Sequence, residues 1–542
     1  MKKAIRYILG VTLALMSVSC TDFFETESNG LVKVEDDAID TQRAAFYAML
    51  GILQNVQQVG DRYVILSELR GDLLEVTEQS SQELRDVYQF EVDAANPYHM
   101  ERDLYALINN CNYLIQTIDT SLVVDQRRVL TYEYAQAKTI RAWAYLQLSN
   151  LYGEVYYYTQ PVLDAWDVVE ADTFNQAALL DVLIQDLTPL LPAAWDEPEQ
   201  LPDYGNIGSF NSKQLFMPIR FVLGELYLWK QEYSLAAQMY YELIYNQRLT
   251  VLNLTNAWNG PTFTNVSTRN WTRIFGNLAT YNEMISIIPY TTETSGNATM
   301  LPDMFQENYV LRPTPVAIQY WENQTYAYDA TVSKPGDLRG AYGSYETKLV
   351  SDGLTDAQYS YVTKFKNIEN FNILCRSSTV YLRYAEAINR MGAHQMAFAV
   401  LKYGLTPDVL NNPLYVPASE YTPDSTGVPY YMEFGQQNLS IDRFTSNIGM
   451  HSRGCGTLKF FKSYSIEAGV DTLQWVEDQI VTELALETAF EGGRFTDLMR
   501  VAKRRDPLYL ANQVSSKFDV GLRSKVFGLL SNPDNWFLPH QE

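Results

Sequence analysis

Apolar positions recur at helical spacing along much of the chain. Ala137, Ile140, Ala144, Leu148 and Leu151 follow one another at intervals of 3, 4, 4 and 3, a single stripe on a helix that Gly153 is placed to cap. Phe174–Leu191 predicts a second amphipathic helix, stopped by Pro192, and helical patterning returns over Trp475–Arg504. Between these lies a repeat signal. Leu223, Gly224 and Tyr227 are followed by Ala236 and Tyr240, the spacing of a tetratricopeptide unit, in which small residues let two antiparallel helices touch. Tyr381–Leu401 repeats it less well, with Ala385 and Ala397 again 12 apart. Two such units are too few for a free-standing solenoid. They predict further degenerate units, such as 133–191, or an embracing non-repeat part.

Two stretches break the pattern. In about 251–375 and 404–470 the helical period fades while Asn, Thr, Gly and Pro accumulate, as in Asn259-Gly260-Pro261 and Arg312-Pro313-Thr314-Pro315. Irregular regions of this length are usually functional. They interrupt the helical scaffold and do not follow it.

At the N-terminus Lys2, Lys3 and Arg6 precede a nine-residue apolar run, Ile8–Met16, too short to span a bilayer. Ser17-Val18-Ser19-Cys20 then resembles a bacterial lipobox, with Ser17 where a branched apolar residue is usual. The reading is a lipoprotein signal peptide over 1–19, a lipidated Cys20 and a polar, acidic tether over 20–36. The resulting protein is anchored to a membrane and does not cross it, since no later run reaches 18 apolar residues.

The 542 residues carry 41 Lys and Arg against 64 Asp and Glu, a net charge of −23, or −26 for a chain starting at Cys20. Nucleic acid is therefore excluded as a partner. The 39 tyrosines suit a recognition surface, because a ring gives contact area at low entropic cost. Without Cys20, three cysteines remain, too few for a disulfide framework, and Cys111 and Cys375 read as buried thiols. The four histidines are scattered. His451 and Cys455 lie four apart, but the intervening Ser-Arg-Gly argues against a helix and hence against a metal pair there. No metal motif, phosphate loop or nucleophile elbow occurs, and no cofactor is expected.

Several segments, in order, resemble the SusD/RagB-like family of nutrient-binding outer-membrane lipoproteins. Ala137–Val155 is similar to its RAxAYFxLVxLYGDVP signature, Thr379–Gly392 to its LRYAE segment, and Glu483–Arg500 to its EGhRfxDL hallmark, with Gly493 where His is common. Ser67–Asp72, the early Cys20, Asp22 and Phe23, and Trp536–Pro539 fit too. The resemblance implies one mostly α domain over 37–542, with about four tetratricopeptide-like helix pairs around a loop-rich ligand-binding part. It also implies a surface-exposed protein, lipid-anchored to the outer membrane. Such proteins capture oligosaccharides, or in some members peptides, and pass them to a SusC-like TonB-dependent barrel.

Glu483, Glu487 and Glu491 would stack three carboxylates on one helix face. Such carboxylates serve glycoside hydrolysis or a structural ion network. Like charges at this spacing need neutralising, and Arg494, Arg500 and Arg383 are candidate partners, with Asp497 in the same block. The family hallmark carries these residues in a non-enzymatic lid, so the structural reading is preferred and no catalysis is expected. For the ligand, the resemblance points to Asn96, Tyr98, Trp258, Tyr320 and Trp321, with Trp321 as a stacking platform. Aromatic content does not locate the site, since 251–375 holds 18 aromatics in 125 residues against 13% overall. An oligopeptide-binding lid, a secreted glycosidase using paired carboxylates and a protein-binding tetratricopeptide adaptor are the competing readings.

Overall fold

The computed structural model describes residues 38–541 other than 165–170, 209, 252–268, 277–282, 291–298, 328–332, 342, 352–355, 367–370, 422–428, 435–443, 445–446 and 457–463. Cys20 and Trp258 lie outside the described residues. Helix dominates. α1 (Gln42–Arg70) starts where the Thr41 hydroxyl accepts the Ala44 N–H, and α2 (Gln82–Gln89) follows. α3 (Glu101–Thr117) pairs with α4 (Thr131–Tyr152), and α5 (Gln176–Leu187) packs on α4. α6 (Ile219–Trp229) pairs with α7 (Tyr233–Gln247). After the short α8 (Arg269–Gly276) and α9 (Pro315–Glu322), α10 (Ser377–Arg390) pairs with α11 (His394–Lys402). α12 (Pro407–Leu410), α13 (Met450–Cys455), α14 (Thr472–Thr488) and α15 (Arg494–Arg504) lead to a last pair, α16 (Pro507–Ser515) and α17 (Val520–Leu530).

Four helix pairs thus form the scaffold, two of them at the repeats legible in the sequence. The small residues act as their spacing demands. A Cβ on Gly224 would stand 2.6 Å from the Tyr240 ring, so α6 meets α7 only because that position has no side chain. Gly153 ends α4 at φ 83°. One apolar core runs from Ile39 to Leu538. Among the described residues no helix is long and apolar enough to cross a membrane.

Three local expectations are corrected. The Trp475–Arg504 helix is broken. α14 ends at Thr488, and Phe490 (φ 69°) and Gly492 (φ 101°) reverse the chain before α15. The buried Glu68 carboxylate makes the break stable by accepting the N–H groups of Phe490, Gly492, Gly493 and Arg494 at 2.9–3.3 Å. Glu491 is therefore not on the helix face of Glu483 and Glu487. Next, Ser452-Arg453-Gly454 does form helix, as α13, which Gly449 lets approach the Lys402 backbone closely. Finally, the described parts of 251–375 are less irregular than they read. They hold short antiparallel ladders, Met284–Pro289 with Phe371–Arg376, Leu74–Val76 with Leu311–Pro313, Thr325–Ala327 with Ser333–Pro335, and Tyr345–Ser351 with Asp356–Val362. Their strands are three to seven residues long, too short to show a clear period of two.

Candidate functional site

The glutamate triplet sits at the centre of a buried ion network. Glu487 is fully buried and accepts from Nη1 of Arg339, Arg376 and Arg453, each at 2.7 Å, and from the Ser378 hydroxyl at 2.7 Å. Arg339 also donates to Glu483 at 2.5 Å and to Asp337 at 2.7 Å. Arg376 forks onto Glu491 at 2.8 and 2.9 Å, and Lys364 reaches Glu491 at 2.5 Å. Lys364, Arg376 and Arg453 all lie 5.2–5.5 Å from the centre of the buried Trp271 ring. Burial alone would raise the Glu487 carboxyl, but Arg453, Arg376 and Arg339 outweigh it and hold the group well below the usual carboxylate range. A general acid for glycoside hydrolysis needs the opposite shift. Glu483, Glu487 and Glu491 are 1%, 0% and 8% exposed, so a saccharide cannot reach them.

The expected cations are engaged elsewhere. Arg494 forks onto Asp72 at 2.6 and 2.9 Å. Arg383 pairs with Glu225 at 2.9 Å and with Asp497 at 2.6 Å, and Arg500 with Glu386 at 2.8 Å and Asp497 at 3.1 Å. Arg383, Asp497 and Arg500 belong to a second network between α6, α10 and α15, beside an internal cavity of about 70 Å³. Arg339, Arg376 and Arg453, the true partners of Glu487, stand in segments with no helical period. Their only signal in the sequence was that three stacked carboxylates demanded countercharge from somewhere.

The His451–Cys455 pair holds different partners. His451 Nδ1 lies 2.9 Å from Glu483, and the Cys455 thiol donates to Asp337 at 3.4 Å. Among the described residues no group of three or more His, Cys, Asp or Glu could hold a metal ion. Cys111, Cys375 and Cys455 are free, buried thiols.

Of the aromatic candidates, Trp321 is corrected outright. It is 1% exposed, and its indole N–H donates to the Leu486 carbonyl at 3.1 Å. The cause is α9. Thr314-Pro315 starts a helix there, and Ala317 and Trp321, at i and i+4, form its buried face. Tyr320 is half-buried under the Arg494 guanidinium, 5.5 Å from its ring centre, and accepts from Arg494 at 3.2 Å. Asn96 is buried in a local turn, donating to the Glu83 carbonyl and accepting the Tyr98 N–H, both at 3.0 Å. Tyr98 is half-buried beside it, and burial pushes its phenol up.

The structure gathers three tyrosines that sequence reasoning missed. Tyr309, held at φ 48°, places its ring 4.6 Å from Tyr361 and 5.7 Å from Tyr359, all three half-buried. Lys348 lies 4.8 Å above the Tyr361 ring. Tyr359 and Tyr361 alternate along their strand with Gln358 and Ser360, which point to the opposite side. There a cleft of about 320 Å³ is lined by Glu75, Arg312, Pro313, Gln319, Glu322 and Gln358. The segment 77–85, which runs into α2, links the Tyr309 backbone to the turn at Asn96. The Thr77 hydroxyl donates to the Tyr309 carbonyl at 2.5 Å, Arg85 donates to the Thr77 carbonyl at 2.8 Å, and Asn96 holds Glu83. In the sequence Tyr359 and Tyr361 merely stand two apart, a spacing that a count of aromatics cannot register. Chemically the strand offers rings on one side and amides, carboxylates and hydroxyls on the other. The cations here are already paired, Arg312 with Glu75 at 2.7 Å and Lys348 with Glu346 at 4.0 Å.

No family model and no curated protein sequence matches the chain. Solved structures do match its fold. A SusD superfamily protein from Bacteroides thetaiotaomicron aligns over 87% of this chain and 89% of its own, at 17% identity and a TM-score of 0.57. A SusD-like carbohydrate-binding protein from Bacteroides fragilis aligns over 85% and 86%, at 14% identity and 0.56. A laminarin-binding SusD-like protein aligns over 89% and 95%, at 14% identity and 0.51. The chain has the SusD-like fold.

Proposed function

We propose that this protein is a non-catalytic, glycan-binding protein of the SusD type. In this reading it is acylated at Cys20, displayed on the outer membrane, and delivers oligosaccharides to a SusC-like TonB-dependent barrel. The observation that carries the proposal is the SusD-like fold over most of the chain, shared with structures described as carbohydrate-binding and laminarin-binding. The lipobox-like Ser17–Cys20 supports the anchor. The encapsulated glutamates support binding without hydrolysis.

The ligand belongs on the face formed by Tyr309, Tyr359 and Tyr361 with Lys348. Sugar rings present C–H groups to aromatic faces and hydroxyls to planar polar side chains. Because the cations of this face are paired, a neutral oligosaccharide suits it better than an anionic one, and moderate salt should leave binding nearly unchanged. Tyr361→Ala should weaken binding by about 1–3 kcal/mol, by analogy with base–aromatic stacking, with thermal stability nearly unchanged. Calorimetry with a neutral glycan bound by the wild type checks this. Unaltered affinity in Tyr361→Ala and Tyr309→Ala would remove the site, and cleavage of the glycan would remove the non-catalytic reading.

A further inference from the structure

A two-residue hairpin projects from the body between α3 and α4. Val123–Val124 pairs with Arg127–Arg128, and all four side chains are exposed, the valines by 57% and 40%. Asp125 (φ 49°) and Gln126 (φ 64°) make the turn. Both central residues are left-handed and neither is glycine, an unfavourable choice for a surface loop of no consequence. Neither arginine is paired with a carboxylate among the described residues.

The place of the hairpin gives this arrangement meaning. Ile39 is stitched to its base, donating to the Thr117 carbonyl and accepting the Asp119 N–H, both at 3.0 Å. Ile39 lies 19 residues after Cys20, a span of at most about 65 Å of extended chain. The hairpin therefore stands where the anchor segment joins the folded part. Beside it lies a cleft of about 420 Å³ lined by Thr120, Arg128, Tyr132, Tyr134, Leu190 and Pro192. Glu197 and Glu199 also line it. Glu199 is spent on the first turn of α6, accepting the Ile219 and Arg220 N–H groups at 2.7 and 2.6 Å.

Exposed aliphatic groups, adjacent arginines and tyrosines are the composition of a bilayer interface, where apolar tips enter the acyl boundary, cations meet phosphates, and phenols sit among headgroups. We infer that the Val123–Arg128 hairpin, with the Arg128–Tyr132–Tyr134 cleft, rests on the lipid surface that holds the anchor. The bilayer is favoured over a protein partner because the hairpin adjoins the anchor segment and carries two unpaired cations on a strongly acidic protein. This inference builds on the lipid-anchor reading above. The contact would fix the orientation of an otherwise loosely tethered binding protein.

The test is a polarity-sensitive fluorophore on Val123→Cys in acylated protein, reconstituted into vesicles of phosphatidylethanolamine and phosphatidylglycerol. The native thiols of the folded part are buried, and acylation blocks Cys20. Val520→Cys, at a position 82% exposed on α17, is the reference. The expected result is blue-shifted emission and at least a twofold drop in iodide quenching at 123 on vesicle binding, with no change at 520. Adding Val124→Asp should abolish the shift. If the protein proves unacylated, the anchor reading fails. The same probe in Cys20→Ser protein, held on nickel-chelating vesicles by an N-terminal histidine tag, still decides the hairpin. Equal quenching at 123 in vesicles and in solution, or shielding that appears only with a barrel partner present, would overturn the inference.

Discussion

Glu487→Gln is the sharpest perturbation of the scaffold. The substitution keeps volume and one acceptor oxygen but removes the charge that three guanidinium groups share at 2.7 Å. Removing one partner from a buried ion cluster costs about 3–5 kcal/mol, because the remaining charges stay desolvated and uncompensated. Unfolding entropy near 60 °C is about 2.1 cal/mol/K per residue, or about 1 kcal/mol/K for a chain of this size. The expected fall in Tm is therefore about 3–5 °C. Glu91→Gln is the control, since the Glu91–Lys525 pair is exposed and should be worth about 0–1 kcal/mol. Acid supplies a second arm. The Glu487 carboxyl is held below its ordinary value of 4.5, so its stabilisation is complete above that pH and is lost as pH falls through the folded-state value. The gap between wild type and variant should be full at neutral pH and narrow on acidification. Scanning calorimetry between neutral pH and pH 3 reads both arms. A Tm change no larger than that of the control, or a deficit independent of pH, would refute the reasoning.

Other expectations follow from the same geometry. Trp321→Ala should cost about 3–5 kcal/mol of stability, as an emptied core site does, while glycan affinity measured below the new Tm stays unchanged. Gly224→Val should destabilise by about 1–3 kcal/mol or more, since its Cβ would meet the Tyr240 ring at 2.6 Å; chemical denaturation checks it. Lys517 donates to the Leu69 and Leu74 carbonyls at 2.6 and 3.3 Å, and burial lowers its ammonium from 10.5 to about 7. Between pH 7 and 10.5 the unfolded chain holds a proton here that the folded one does not, so stability contributed by this residue rises with pH. Wild type should gain on Lys517→Met between pH 7 and 9.5 in urea titrations, and a difference that does not vary with pH would contradict this.

How much was legible follows the reach of each signal. The helix pairs at Leu223–Leu243 and Tyr381–Leu401 were readable because their cause is local, two small residues 12 apart followed four positions later by a large apolar one, Tyr240 or Leu401. The glutamates announced a need for countercharge, but Arg339, Arg376 and Arg453 come from a turn, a strand end and a six-residue helix brought together only by the fold. The break at Gly492 depended on Glu68, more than 400 residues away in sequence. Trp321 misled because a tryptophan beside a tyrosine suggests a platform, whereas the Thr-Pro start of α9 turns it inward. The Tyr309–Tyr359–Tyr361 face unites a left-handed turn residue with one side of a strand, and no single window of sequence contains both.

In the proposed function this SusD-like fold binds neutral glycan without cleaving it. Isothermal titration of the soluble Cys20→Ser protein against neutral oligosaccharides, anionic glycans and mixed peptides tests it most directly. Saturable binding of at least one neutral oligosaccharide is expected, with affinity insensitive to moderate salt and the ligand recovered intact. Binding confined to peptides, with affinity falling steeply as salt rises, would contradict it.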